Sequence, residues 1–513
     1  YIDVERERKQ GFDMELYIKP VSEIYTQSTE VKRMVVIMSV LAFALLFVAA
    51  MNYILNSVSS LPIRARSVGV HKCNGASSKD IFNMFLFETA ALFVVALVCM
   101  ALLLFAFREY VADMVAVPTL GTLLNAQTIW LPAIMILAIF ILSALLPARL
   151  FSVIPVTQVF RVSTSGKQGW KRSLLFIQFG GIAFVITLLV IVLLQYDRLM
   201  NNDLGYDPEN IVYAPLNNMD DQKAAKLTAE FKKLPYVTAT GLSSMDILSG
   251  YGGFPILDNE KNWLFTARQV NYDADYLSLM KIPLLEGQPL KGDGDILVNE
   301  SFVSKRGWTD AAIGKYIYDD EGNLKGKIVG VTRDFMVNSF FTPQLPVIMF
   351  GSDRMSYCNF TVRVSELTPE YLREMNDKIA ELFPNEDVGF TVLKTIIESQ
   401  YEGTRHFRDG VFVASIAILL ITLMGLLGYI TDEMHRRSKE IAIRKVNGAT
   451  APNILRLLSK DVLITAFPAI LLGVIASRVV GESWLRQFAD KIPLTVFIFI
   501  STALLVLAII WDA

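Results

Sequence analysis

Residues 64–88 read RARSVGVHKCNGASSKDIFNMFLFE, and residues 437–461 read RSKEIAIRKVNGATAPNILRLLSKD. At one constant offset they match at Arg64/Arg437, Lys72/Lys445, Asn74/Asn447, Gly75/Gly448, Ala76/Ala449 and Ile81/Ile454. Val68/Ile441, Val70/Ile443 and Glu88/Asp461 are conservative pairs. Each copy follows one long apolar run and leads into the next at the same spacing. A motif repeated together with its hydropathic surroundings marks a chain built from two copies of one structural unit.

The flanking runs set the fold class. A helix needs roughly 20 apolar residues to cross the hydrocarbon core, and seven segments qualify: 34–58, 81–107, 128–148, 173–198, 409–431, 460–481 and 493–511. Ala90 to Phe107 and Phe412 to Tyr429 contain no charged residue, which argues against buried helices of a large soluble enzyme. With 53% hydrophobic residues gathered into such runs, the chain reads as a polytopic α-helical membrane protein.

Lys and Arg in short loops orient the spans, because basic loops stay in the cytoplasm. Loop 59–80 carries Arg64, Arg66, Lys72 and Lys79 against Asp80. Loop 149–172 carries Arg149, Arg161, Lys167, Lys171 and Arg172 with no acid, and loop 432–459 carries Arg436, Arg437, Lys439, Arg444, Lys445 and Arg456 against three acids. Loops 108–127 and 482–492 have no basic excess. The long acid-rich segment 199–408 therefore lies outside, and so do residues 1–33, which requires an upstream span. An echo between Ile18-Lys19-Pro20-Val21 (then Tyr25) and Leu393-Lys394-Thr395-Ile396 (then Tyr401) makes residues 1–33 the expected remnant of a first outer domain. The pattern of span, outer domain and three spans, performed twice, gives eight spans in the full chain.

The outer segment alternates strand-like runs (210–214, 265–270, 327–331, 347–350, 360–364) with helix-like stretches at 221–233 and 369–382, a mixed α/β domain. Gly250, Gly252 and Gly253 around Tyr251 read as a flexible loop whose spacing does not fit a dinucleotide fingerprint.

The repeated loop carries the most information. Val68, Val70, Ile441 and Ile443 sit on short helical segments that Asn-Gly stops, and Ser77 or Thr450 is placed to cap the next helix. The bland alternative is that any inner loop is basic and rich in turns. Duplication of Lys-x-Asn-Gly-Ala at matched positions favours instead a rigid helix–turn presented twice, for docking to a two-fold partner. Glu88 and Asp461 lie near the interface, where simple solvation is the expectation. Asn52 and Asn56 in the first span suit interhelical hydrogen bonds better than ligand binding.

Chemistry is not signalled. His71, His406 and His435 form no ligand cluster, and Cys73, Cys99 and Cys358 fall in a loop, a span and the outer segment, implying neither disulfide nor zinc site. Gly314-Lys315 is followed by Tyr316 and is no phosphate loop. The near-neutral net charge of −2, with no basic domain interleaved with aromatics, speaks against nucleic acid. No enzyme, cofactor or metal is expected, and any energy comes from another polypeptide.

Several stretches resemble the FtsX/MacB-type permeases of ATP-binding-cassette systems, in the duplicated, large-domain form common in Bacteroidetes-like bacteria. Lys439 to Ala449, KEIAIRKVNGA, is similar to the family's "KEIGIRKVLGA" loop. Leu204-Gly205-Tyr206-Asp207-Pro208-Glu209-Asn210 resembles the exit from the first span of a unit. Asp275-Tyr276-Leu277, Gly287, Val298-Asn299-Glu300 and Gly330 to Phe335 resemble landmarks of a MacB-like periplasmic core domain.

The resemblance implies a domain plan: 1–33 remnant of a first periplasmic domain; 34–150 first FtsX-like three-span unit; 151–172 cytoplasmic linker; 173–198 first span of the second unit; 199–408 periplasmic core; 409–513 second three-span unit, truncated at its C-terminus. It also implies a permease in the bacterial inner membrane. A separate cytoplasmic ABC ATPase, in two copies, would dock at Val68, Val70, His71, Lys72, Asn74, Gly75 and Ala76 and at Glu440, Ile441, Ile443, Arg444, Lys445, Asn447, Gly448 and Ala449. ATP hydrolysis would drive export or mechanotransmission, for instance on peptides or lipoproteins, with a periplasmic or outer-membrane partner. Ser67, His71 and Cys73 stand where the second copy has Glu440, Arg444 and Val446, so coupling is expected to be asymmetric. The rival reading is an envelope sensor that detects a ligand such as an antimicrobial peptide and reports to a partner without transport.

Overall fold

The computed structural model describes residues 29–512 apart from 60, 115–120, 122–128, 153–168, 218–220, 249–251, 259, 261, 309–311, 320, 338, 340, 352–356 and 385–386. The expected remnant domain, as far as residue 28, and most of the linker 151–172 lie outside the described residues. The chain divides into two compact units: an outer unit with Arg198–Glu402 and Phe488–Lys491, and a membrane unit with the stretches up to Asp197, Gly403–Gln487 and from Ile492 on.

In the membrane unit the helices are α1 (Thr29–Ser59), α2 (Leu61–Cys73), α3 (Ser78–Ala106), α4 (Arg108–Met114), α5 (Trp130–Ser152) and α6 (Gly169–Asn201, whose last turn enters the outer unit). Those after the outer segment are α12 (Glu402–Arg436), α13 (Ser438–Val446), α14 (Ala451–Leu485) and α15 (Val496–Asp512). Six of them, α1, α3, α5, α6, α12 and α14, are long and apolar enough to cross a membrane. The expected seventh span at 493–511 is shorter, an apolar helix over Val496–Trp511. Pro493 cannot donate a backbone hydrogen bond, its carbonyl caps Thr495 N–H at 2.9 Å, and the Ile492 N–H goes to Gln195 Oε1 at 2.9 Å. The helix therefore starts late, and its 16 residues rise about 24 Å against a core of about 30 Å.

Without a hydrophobic drive between helices in lipid, close approach and polar contacts hold them together. α6 is the most enclosed of the six. A Cβ at Gly473 of α14 would collide with the Gly180 carbonyl of α6, and Thr187 donates to Thr502 of α15 at 3.2 Å. Phe93 and Phe140 meet edge to face at 5.3 Å between α3 and α5. Asn52 of α1 donates from Nδ2 to the Ile421 carbonyl of α12 at 2.7 Å, the interhelical role expected of it; the Asn56 side chain lies outside what is described.

The outer unit is mixed α/β. Its strands are β1 (Ile211–Asn217), β2 (Val237–Ser243), β3 (Gly252–Leu257), β4 (Trp263–Tyr272), β5 (Leu284–Gly287), β6 (Asp295–Asn299), β7 (Tyr316–Tyr318), β8 (Leu324–Thr332), β9 (Val347–Gly351), β10 (Tyr357–Val364) and β11 (Thr391–Val392). Helices α7 (Asp221–Phe231), α8 (Tyr276–Met280), α9 (Glu300–Arg306), α10 (Pro369–Leu382) and α11 (Leu393–Gln400) are interspersed. The sheet order is β11-β1-β10-β2-β4-β9-β6-β8-β5, with β3 on β4 and β7 on β8. β4–β9 and β6–β8 run parallel. β2 and β4 share the single register pair Ser243–Tyr272, so the sheet has two halves. Each half has its own core: Phe231, Phe360, Met375 and Ile379 in one, Phe254, Phe265, Phe302 and Ile348 in the other.

The helix read at 369–382 begins at Pro369, with Thr368 Oγ1 accepting the Tyr371 N–H at 3.2 Å. The glycine loop needs correction: Gly252 and Gly253 belong to β3, opposite Gln269 and Arg268 of β4. Cross-strand pairing there overrides a loop-like composition. Gly250 and Tyr251 lie outside the described residues.

Candidate functional site

The two repeated loops fold alike at their turn. In the first, the N–H of Asn74 reaches Val70 O at 3.0 Å, that of Gly75 reaches Lys72 O at 3.1 Å and that of Ala76 reaches His71 O at 3.0 Å. In the second, Asn447, Gly448 and Ala449 donate to Ile443, Lys445 and Arg444 at 3.0, 3.0 and 2.9 Å. This is the Schellman pattern, which closes the last helical carbonyls through one left-handed residue. Gly75 and Gly448 supply it at φ 94° and 87°. Nothing lies within 4 Å of where either Cβ would be, so backbone conformation and not crowding selects glycine.

The following helix begins differently in each copy. Ser77 and Asp80 form a reciprocal capping box, with Asp80 Oδ2 accepting the Ser77 N–H at 2.8 Å and Ser77 Oγ accepting the Asp80 N–H at 3.3 Å. Thr450 occupies the same position without a side-chain cap.

The surroundings diverge more. Val68 is fully buried with Ile81, Phe85 and Ala148, and Lys72 donates to the Ser152 carbonyl at the end of α5, 2.8 Å away. Val68, a docking candidate by sequence, is thus a core residue of the first copy with no surface to offer a partner. In the second copy α13 has no buried residue. Val70 and its repeat equivalent Ile443 are 57% and 63% exposed, an apolar knob shown twice beside Lys72 and Lys445. Val446, the counterpart of Cys73, is 87% exposed.

Charges also re-pair. Arg64 Nη1 donates to both oxygens of Glu88, at 2.7 and 2.8 Å. Glu88 is therefore exposed, as expected, and in addition pairs with Arg64, because α2 folds back beside α3. Arg437 instead pairs with Glu433 of α12, one helical turn earlier, where the first copy has Ser60. Glu440 holds Arg444 at 2.8 Å. Among the described residues, no three His, Cys, Asp or Glu side chains gather as metal ligands would.

The family model described as FtsX-like permease C-terminal matches residues 39–156 and again 412–511. No curated protein matches the chain. Among solved structures, the periplasmic region of MacB from Actinobacillus actinomycetemcomitans is 13% identical, with TM-score 0.30, over 40% of this chain and 97% of that one. A domain of a putative permease from Porphyromonas gingivalis is 14% identical, with TM-score 0.27, over 37% and 98%. The extracellular domain of the noncanonic ABC-type transporter YknZ from Gram-positive bacteria is 11% identical, with TM-score 0.26, over 36% and 99%. Matched in both of its membrane regions, this multi-pass membrane chain carries segments similar to the FtsX-like permease family at residues 39–156 and 412–511.

Proposed function

We propose that the chain is the permease of an ATP-binding-cassette system, coupling ATP hydrolysis in a separate ATPase to conformational work on a substrate at the outer side of the bacterial inner membrane. The observation that carries this reading is the repeated helix–turn: two Schellman turns of matching hydrogen bonds, each presenting an exposed apolar side chain (Val70, Ile443) next to a lysine (Lys72, Lys445). A two-fold ATPase pair needs two such points, and one chain supplies both. Rigid turns suit docking because little side-chain or backbone freedom is lost on association.

Docking residues in this reading are Val70 to Ala76 and Glu440 to Ala449, Val446 among them, while Val68 supports the first copy from its core. The chain itself hydrolyses nothing. Its outer unit receives the motion, as export of a peptide or lipoprotein or as mechanotransmission would require.

Co-purification from native membrane tests this. A small cassette ATPase should come down with the chain and turn over faster when bound to it. A partner without ATPase activity, appearing only with an envelope ligand, would replace the permease reading with that of a sensor.

A further inference from the structure

Phe488–Lys491 lies in the chain between α14 and α15, yet it belongs to the outer unit. Asp490 explains why. Arg198, at the end of α6, donates from Nε to both Asp490 oxygens at 3.0 Å and from Nη2 to Oδ1 at 2.7 Å, and Asn202 Nδ2 donates to Oδ2 at 2.6 Å. Beside them Phe488 is buried and stacks on Phe341 at 5.1 Å, and Phe341 lies 5.9 Å from the Tyr401 ring. Arg198 and Asn202 stand where the chain enters the outer unit, and Tyr401 stands where it leaves. A cleft of about 480 Å³, lined by Asn202, Asp203, Met336, Gln344 and Asp490, sits at the same place.

We propose that Asp490 and Phe488 form a third tether, which carries displacement of the α14–α15 pair into the outer unit alongside the two covalent connections near residues 198 and 402. A flexible connection would let either helix shift without consequence. A guanidinium fork on a carboxylate fixes distance and orientation together, and the stacked rings resist shear. The turn therefore moves with the end of α6 and the loop around Phe341 that it holds. The proposal rests on the permease reading only for what drives the motion.

The test is hydrogen exchange on the full chain in lipid nanodiscs, alone and with its purified cassette ATPase. Asp490→Ala should speed exchange in residues 336–345 about fivefold without nucleotide. With ATP, it should shrink the nucleotide-dependent change in that loop while ATP turnover persists. Phe488→Leu, which keeps an apolar side chain in place, should act in the same direction. The swap Arg198→Asp with Asp490→Arg should restore the wild-type response. An unchanged response in Asp490→Ala, or a swap as impaired as the single variants, overturns the tether. If no ATPase associates with the wild type, the docking reading falls, and the nucleotide-free comparison still judges the tether: unchanged exchange in 336–345 overturns it.

Discussion

Asn52 and Gly425 meet in the membrane unit although they stand 373 positions apart, the same separation as Arg64 and Arg437. A Cβ on Gly425 would come 2.8 Å from Asn52 Oδ1 and 3.0 Å from Gln178 Oε1. Contact between repeat-equivalent positions is the signature of a two-fold relation. The duplication seen in the loops thus extends to helix packing, with α1 and α12 as the pair that faces itself.

Gly425→Ala should therefore destabilise the protein by about 1–3 kcal/mol, the cost of overpacking a tight contact. Asn52→Ala in the same chain should recover much of that loss. Thermal unfolding in detergent, arranged as a double-mutant cycle, measures the coupling; additive effects would show that the two side chains do not share space.

Charge reversal at the two equivalent lysines should separate docking from folding. Lys445→Glu lies on a helix that buries nothing, so it should lower ATPase affinity about tenfold with little change in melting temperature. Lys72→Glu removes the bond to the Ser152 carbonyl and should lower the melting temperature first. Equal losses of affinity at unchanged stability would remove the asymmetry.

Asp273 makes the outer unit pH-sensitive. Burial pushes its carboxyl up to about 6, against the pull of the Leu242 N–H, which Oδ2 accepts at 2.7 Å. A carboxyl whose folded pKa lies above its ordinary 3.8 contributes its stability below that value and loses it as pH rises through about 6. Asp273→Asn keeps the acceptor and removes the charge. It should stabilise the outer unit above pH 6 by at most about 3 kcal/mol and flatten the pH dependence between 4 and 6. Exchange protection of β2 and β4 across pH reads this; an unaltered slope in the variant counts against it.

Arg363 should be the most sensitive polar position of the outer unit. It is nearly buried and donates to the carbonyls of Leu279, Glu209 and Asp207 at 2.7, 3.0 and 2.7 Å and to Asp207 Oδ2 at 3.0 Å. Arg363→Ala takes this donor from the three carbonyls, leaves Asp207 Oδ2 only its Lys281 partner, and should cost about 3–5 kcal/mol. Arg363→Lys should rescue little, since an ammonium cannot reproduce the fork. Denaturant unfolding followed at Trp263 and Trp308 measures both.

Legibility followed the range of the forces involved. Apolar runs such as Ala90 to Phe107 announce a span without help from the rest of the chain, and Asn-Gly announces a helix stop through its own backbone preference. The helical spacing over 369–382 announced a helix just as locally. What stayed hidden depends on distant partners. Val68 and Ile441 look alike in sequence, but α3 and α5 cover the first, whereas the helix that carries the second has no buried residue. Gly252 and Gly253 became strand because β4 pairs with them. Loop 482–492 showed only a lack of basic excess, and no local pattern told that Asp490 answers Arg198, 292 residues away.

The contact at Asn52 and Gly425 has one more implication. A carboxamide on one side needs a hole on the other, so the halves have become key and keyhole. Two first halves brought together would press two carboxamides into one place, and two second halves would leave a gap. Each half therefore fits the other better than it fits a copy of itself.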